Sequence, residues 1–362
     1  MKVLHINAGL EDGGGKNHIL SLLSQFDPTT AELLVMEDGI IAEEAKKLGI
    51  QVHTLKQQSR YDLSILKRLT QFIIEHSFDI VHTHGARANF IFSMIRKKVA
   101  ASWLITVHSD PTLDFMDRGI KGTLFTKLNL ASLKKADHLI VVTDSLMQPL
   151  LELGISEKKM TIIYNGLQFE PNTAKTYAKN DRFTLTCIAR LHPIKGHDLL
   201  LESLHAAHFN DFRLNLVGDG DLKASLEKKV QQLNMQENVH FLGFLNKTQV
   251  EETIAHSDIT ILASYNEGFP MVLLESANQK VPFIATDVGD IALLVPDESY
   301  GWCVPAKSVE SLTGALNEAY TAWENNTLEL KGERLYQLAS KQFSLERFYQ
   351  QTLSLYETLA RS

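Results

Sequence analysis

The sequence predicts two doubly wound α/β domains in tandem, each a parallel sheet covered by helices on both faces. Three observations predict this. The chain has 362 residues, too many for one ordinary core and suited to two of about 150–200 residues each. Short β-rich apolar runs alternate with longer amphipathic segments, the pattern of right-handed strand–helix–strand crossovers. A polar stretch without periodicity, LQFEPNTAKTYAKNDR over 167–182 with Pro171 and Asn172, divides those runs into two sets.

In order along the first half, the strand candidates are VLHINA, ELLVME, DIVHTHG, WLITVHS and HLIVVTD. In the second half they are FTLTCIAR, FRLNLVGDG, VHFLGF, DITILAS and VPFIATD. The closing segment FSLERFYQQTLSLYETLARS has apolar residues at helical spacing and predicts a long terminal helix. We therefore expect a first domain over 1–166, joined by the C-terminal helix at about 346–362, and a second over 167–345 with a mobile linker between them.

Composition narrows the function. A net charge of -7 argues against a nucleic-acid binder that works through a basic field. Residues 1–165 carry 19 Lys/Arg against 18 Asp/Glu, so the acidic excess sits in the second half. The N-terminus MKVLHINAGLEDGGG lacks the long apolar core of a signal peptide and reads as a buried strand. No apolar run approaches a membrane span. Cys187 and Cys303 form no C-x-x-C pair, which fits a reducing cytoplasm and no structural zinc.

Ligands of open α/β sheets bind beyond the carboxyl ends of the strands, and the unusual residues fall there. Gly13, Gly14 and Gly15 follow the first strand and open a helix, where Cβ-free backbone can approach a phosphate or diphosphate. They match neither G-x-G-x-x-G nor the P-loop, which weakens dinucleotide and ATP-hydrolase readings and leaves a plain flexible turn as the alternative. Arg190 and Lys195 flank LHPI after FTLTCIA, two cations placed to clamp a diphosphate. Glu267 and Glu275 bracket GFPMVLL after DITILAS, the first in a loop and the second about one turn into a helix, and such carboxylates can accept paired hydrogen bonds from vicinal hydroxyls.

His108, followed by Ser109-Asp110-Pro111, is a candidate donor to a hydroxyl at the cleft, whereas His82 and His84 read as satisfied structural histidines. Asp219-Gly220-Asp221 spells a metal-binding D-x-D but reads as the turn after FRLNLVG, and with cations available for a diphosphate a metal has no necessary task. The stretch 113–135 places Phe115, Leu124, Phe125 and Leu128 among Lys121, Lys127, Lys134 and Lys135, which is either an ordinary domain surface or a weak peripheral contact with anionic lipid.

Taken in order, GGGKNHIL, DIVHTHG, TVHSD, IIYNGL, IARLHPIKGHDLLLES, LVGDGDL, FLGF, SYNEGFPMVLLESA and VPFIATDVGD resemble the retaining GT-B glycosyltransferases of family 4 over essentially the whole chain. The resemblance implies two Rossmann-like domains facing across a cleft, an acceptor domain first and a nucleotide-sugar domain second. It implies that Gly13 to Gly15 face the donor diphosphate and that Arg190 and Lys195 neutralise it. Gly218 and the Gly243-Phe244-Leu245 loop lie on the nucleotide, with the loop holding the base. It implies that Glu267 binds donor sugar hydroxyls, with Gly268, Phe269, Pro270 and Met271 supplying backbone N–H groups nearby and Val272 on the same donor-binding segment. Glu275 binds ribose, and His108 reaches the donor sugar.

It further implies a UDP-type nucleotide-sugar co-substrate with no resident cofactor or metal, an acceptor left open among a glycan, a lipid-linked sugar and a small molecule, work in cell-surface glycan or glycolipid assembly at the inner face of the membrane, and domain closure that assembles the site. Retention in this family is ascribed to front-face attack, with the departing phosphate taking the acceptor's proton. A non-catalytic GT-B subunit supporting a partner enzyme is the alternative, disfavoured because Arg190, Lys195 and Glu267 are all present. Two departures stand out: Lys16-Asn17 replace the common Glu-Arg after the glycines, and Asp290 with Leu293 replace a second Gly and a Glu in the G-G-x-x-E stretch.

Overall fold

The structure, a computed structural model, describes residues 1–10, 13–57, 62–112, 119–170 and 180–361. Pro171 and Asn172 of the expected linker, and Phe115 of the basic stretch, lie outside the described residues. The chain divides into two compact units, Met1–Gly166 with Leu345–Ser362, and Leu167–Ser344.

The first unit contains strands β1 (Val3–Asn7), β2 (Ala31–Val35), β3 (Val52–Thr54), β4 (Ile80–His84), β5 (Ser102–Val107), β6 (His138–Val141) and β7 (Met160–Ile162). Its helices are α1 (Gly14–Leu23), α2 (Ile40–Lys47), α3 (Ser64–His76), α4 (Ala86–Ile95), α5 (Gly119–Lys135) and α6 (Met147–Glu152). The sheet is parallel throughout, with order β3-β2-β1-β4-β5-β6-β7.

Side-chain alternation along each strand sorts this unit into two cores. Leu4, Ile6 and Val81 pack with α3 and α4 on one face, whereas Val3, Leu33 and Ile80 pack with α1 and α2 on the other. Leu345, Phe348 and Tyr356 join the second core from a C-terminal helix, Leu345–Ala360, so the last residues of the chain complete the unit formed by the first.

The second unit contains β8 (Phe183–Ile188), β9 (Phe212–Val217), β10 (Val239–Gly243), β11 (Ile259–Leu262), β12 (Phe283–Thr286) and β13 (Trp302–Val304). Between and after them run α7 (His197–His205), α8 (Lys223–Gln232), α9 (Lys247–Ala255), α10 (Met271–Asn278), α11 (Val309–Glu324) and α12 (Leu328–Gln342), and the C-terminal helix is α13. The order is β10-β9-β8-β11-β12-β13, again parallel.

Ten strands were expected from sequence, and the structure adds β3, β7 and β13. Each of these has three residues and stands at a sheet edge. A three-residue strand is too short to show periodicity, and an edge position asks little of its composition.

Candidate active site

In the second unit the strand order reverses between β8 and β11, the topological switch point at which open α/β sheets bind ligands. The loops leaving these two strands are locked together. Gly196 has φ +64° and a Cβ there would stand 2.0 Å from the Ala263 carbonyl oxygen, so only glycine permits the approach. Tyr265 N–H donates to the Ile194 carbonyl at 2.7 Å across the same junction.

This contact joins two residues that the sequence treated apart. Lys195 Nζ lies 2.6 Å from Glu267 Oε1, and Ser264 Oγ donates to the same oxygen at 2.6 Å. Both partners are largely withdrawn from water, with 23% of the Lys195 side chain and 10% of the Glu267 side chain exposed. The carboxylate is therefore held in one orientation at the switch point, and Lys195 is a paired charge rather than a free one. Arg190 is exposed on the adjoining loop and has no acidic partner among the described residues.

Gly218 follows β9 with φ +131°, and a Cβ there would meet the Ala189 carbonyl oxygen at 2.2 Å. Close packing of β9's exit against β8 thus explains this glycine without a ligand. Asp219-Gly220-Asp221 is a turn: the Asp219 carbonyl accepts from Leu191 N–H at 3.0 Å and its carboxylate caps Gly220 N–H at 2.8 Å. Neither aspartate belongs to the groups among the described residues that could hold a metal ion. At the end of β10 a Cβ on Gly243 would meet nothing within 4 Å among the described residues, and Phe244 is 76% exposed, leaving an aromatic ring in water beside the strand ends. Leu245, next along, is half-buried.

The segment from Gly268 to Val272 corrects one detail of the expected backbone donors. Pro270, the N-cap of α10, has no N–H to give, and its ring is buried. Phe269 is buried too, with its ring 4.8 Å from that of Phe343. These two side chains anchor the loop, which leaves Gly268 and the first helical amides, at Met271 and Val272, to face a ligand.

Glu275, one turn into α10, is half-buried and its carboxylate has no hydrogen-bond or ion-pair partner among the described residues. Burial raises its pKa above the usual glutamate value, with Lys247 opposing and Glu251 reinforcing. The departure at Asp290 and Leu293 falls on a short 3-10 turn where Leu293 is 43% exposed, an apolar side chain in the place of a carboxylate.

In the first unit the order reverses between β1 and β4. Gly13 caps α1 with φ +108°, a conformation natural only to glycine, and Cβ atoms at Gly13, Gly14 or Gly15 would meet nothing within 4 Å among the described residues. The first turn of α1 is thus open to an anion. Lys16, the first departure from the family pattern, turns inward: it is 8% exposed and its Nζ lies 2.7 Å from Glu44 Oε1 of α2. It ties two helices together.

Beside the glycines lies a group of five histidines. Register pairs His5 of β1 with His82 of β4, and alternation puts His5, His82 and His84 on the face covered by α1 and α13. His82 is satisfied at both nitrogens, by Tyr356 Oη at 2.7 Å and Thr106 Oγ1 at 2.7 Å. Tyr356 Oη also meets His5 Nε2 at 3.0 Å, and His5 Nδ1 meets His84 Nε2 at 3.0 Å.

His84 departs from its expected structural role, since its Nδ1 is buried and without a partner. The same is true of His18 Nε2 and His108 Nε2, whose rings stand edge to face at 4.6 Å. Burial holds all five rings neutral, with His5 lowered to about 3, His18 to about 4, and His82, His84 and His108 well below the ordinary value.

His5, His18, Asn165, Ser264 and Tyr356 received no role from sequence. His18 and Asn165 lie inside GGGKNHIL and IIYNGL, which was the available signal, and they meet through His18 Nδ1 and Asn165 Oδ1 at 2.6 Å.

The carboxylate–lysine pair is fixed at the switch point where doubly wound sheets bind their ligands, and comparison with known proteins gives the class. Residues 12–170 match the model of Glycosyltransferase Family 4, and residues 168–330 match that of Glycosyl transferases group 1. The chain belongs to these GT-B glycosyltransferases and is a transferase enzyme. It is 24% identical over 319 residues to the phosphatidylinositol N-acetylglucosaminyltransferase gpi3 subunit of Schizosaccharomyces pombe, covering 86% of this chain and 68% of that protein. It is 25% identical to N-acetyl-alpha-D-glucosaminyl L-malate synthase of Bacillus anthracis, covering 87% and 84%. Among solved structures it resembles Anabaena Alr3699/HepE in complex with UDP-glucose, with a TM-score of 0.84, 18% identity, and 99% and 100% of the two chains covered.

Proposed function

We propose that this enzyme moves a sugar from a UDP-type nucleotide sugar onto an acceptor hydroxyl, with retention at the anomeric carbon and without a metal ion, in building a cell-surface glycan or glycolipid. The observation that carries the reading is the Glu267 carboxylate, fixed by Lys195 and Ser264 at the switch point of the second sheet. A carboxylate so held is ready to accept hydrogen bonds from adjacent hydroxyls of a donor sugar. As the sugar–phosphate bond breaks, negative charge builds on the departing diphosphate. Arg190, Lys195 and the amides of Gly268, Met271 and Val272 are the groups we assign to its stabilisation. Phe244 supplies a face for the base.

To the first unit we assign the acceptor, and for Gly13, Gly14, Gly15 and His108 we keep the roles implied by the family resemblance. The UDP and UDP-glucose complexes of the Anabaena protein support the donor class. Purified protein incubated with a panel of nucleotide sugars tests the proposal. Release of UDP from one donor, undiminished in excess EDTA, with a product of unchanged anomeric configuration by NMR, is the expected outcome. No turnover of any donor would favour a non-catalytic subunit, and EDTA-sensitive turnover rescued by manganese would return Asp219 and Asp221 to the argument.

We assign Glu275 to the nucleotide ribose. The carboxylate must be ionised to accept from both hydroxyls, and burial makes it protonate at higher pH than an exposed glutamate. UDP affinity is therefore expected to fall on acidification above the usual glutamate range. Glu275→Gln should weaken free UDP and complete donor alike, by about 10–100-fold, and abolish that pH dependence. Calorimetry across pH checks both. An unchanged UDP affinity in the variant would remove the ribose assignment.

On α5, Leu124 is 56% and Phe125 47% exposed, and Lys121 and Lys127 are exposed with them. We assign this face to weak peripheral contact with anionic lipid at the cytoplasmic side of a membrane. Failure to co-float with anionic vesicles at low salt would dismiss it. No helix among the described residues is long and apolar enough to cross a membrane.

A further inference from the structure

His18, in the second turn of α1, is 2% exposed, and its surroundings leave it one orientation. Its Nδ1 lies 2.6 Å from Oδ1 of Asn165, which is itself buried. That oxygen only accepts, so the ring carries its hydrogen on Nδ1 and leaves the buried Nε2 bare. Two further rings touch it: Phe348 of α13 at 4.8 Å and 55°, and His108 edge to face at 4.6 Å and 88°. A phenyl ring would fill the same space with no unmade bond, so an imidazole at this place costs stability. Local costs of that kind gather at functional sites.

His108 is the neighbour that needs support. It follows the last residue of β5, is half-buried, and has no hydrogen-bond partner among the described residues. Its ring is therefore oriented by packing, against His18 at 4.6 Å and against His84 at 5.9 Å and 34°. Burial keeps the ring neutral, with a single hydrogen. The buried, bare nitrogen is Nε2, so Nδ1 is the nitrogen left to carry that hydrogen to a ligand. A hydrogen bond through Nδ1–H depends on the plane of the ring, and a group that acts on a substrate must be held to within roughly 10–20°. His18 makes the closer of the two ring contacts, and Asn165 and Phe348 hold His18 in turn.

We propose that His18 is a positioning residue for the transfer reaction: with its tautomer and ring plane fixed by Asn165, it holds His108 in the orientation that presents Nδ1–H to the donor sugar. This rests on the donor-sugar role assigned to His108. His18 and Asn165 need touch no substrate themselves, and His18, Asn165, His108 and Phe348 all belong to the first unit. The nucleotide contacts assigned to the second unit stay intact when this support is removed, so the loss falls on kcat and spares the affinity for UDP.

Two measurements on the full chain test it. In the first, the ring nitrogens of ¹⁵N-histidine-labelled protein are read by NMR, with His18 and His108 assigned from His18→Phe and His108→Phe. Both rings are expected as the neutral Nδ1–H tautomer. The His108 signals should shift in Asn165→Leu and stay in place in Asn165→Asp, which keeps an accepting oxygen. In the second, UDP release is measured from UDP-glucose and UDP-N-acetylglucosamine. Asn165→Leu should lower kcat by about tenfold with UDP affinity unchanged, and Asn165→Asp should keep most of the wild-type rate. In a His108→Phe background Asn165→Leu should cost nothing further, because it acts through His108. An equal loss in both backgrounds would show a merely structural role and overturn the proposal. His108 signals unmoved by Asn165→Leu, or an Nε2–H tautomer at either ring, would overturn it too, and the wild-type spectrum shows the tautomers even if a variant fails to fold. Full turnover in His108→Phe would instead remove the sugar contact assigned to His108, and the proposal with it. The NMR measurement needs no donor, so it decides the positioning even if neither nucleotide sugar is turned over.

Discussion

Glu267→Gln is expected to lower turnover by about 10–100-fold while leaving the affinity for free UDP unchanged or somewhat tighter. The size follows from the loss of a charged acceptor facing the transferred sugar, about 1.5–3 kcal/mol. The split follows from geometry. Glu267 holds Lys195 at 2.6 Å, so a neutral amide in its place frees a positive charge on a loop we assign to the diphosphate. Removing the carboxylate therefore cannot weaken the anion through Lys195. Ser264, which donates to the same oxygen at 2.6 Å, can keep donating to the glutamine carbonyl, so the loop should stay ordered. Calorimetry with UDP beside steady-state turnover resolves the two effects. If UDP affinity fell as far as turnover, the roles of Glu267 and Glu275 would have to be exchanged.

Acid should unfold the first unit well before it protonates ordinary carboxylates. His5, His18, His82 and His84 are each at most 2% exposed and their pKa values are lowered by burial. In the unfolded chain they return to about 6.5. Between the two values the unfolded state binds more protons, so this stability is complete above pH 6.5 and is lost as pH falls. From pH 7.5 to 5.5 each ring removes on the order of 1 kcal/mol, so four together remove a large share of the stability of a domain. We expect a cooperative transition as pH falls below 6.5, followed by fluorescence of Trp103, which is buried in this unit. A first unit still folded at pH 4 would show that the rings take up protons in the native state.

Much of this was legible in the chain. Alternation in VLHINA and DIVHTHG placed His5 on one face of its strand, and His82 with His84 on one face of another, because side chains of a strand alternate whatever surrounds them. The glycine-proline loop before MVLLES fixed the helix start, so Glu267 fell in a loop and Glu275 one turn into α10, as observed. The carboxyl ends of the longer strands followed from the same alternation, and with them the loops carrying Arg190, Lys195 and Phe244.

Register and long-range packing were decided only in three dimensions. Nothing local sets His5 opposite His82, or brings Tyr356 from the last helix between their rings. Those contacts depend on which strands become neighbours and on how far a helix slides along a sheet, and both are settled by burial of the whole core. The Lys195–Glu267 pair has the same origin. Seventy-two positions separate the partners, and they meet because β8 and β11 flank the reversal of strand order while Gly196, lacking a Cβ, lets one loop rest on the other's carbonyl. A sequence states which groups are available and which way each faces along its own element; only the packed sheet decides which of them touch.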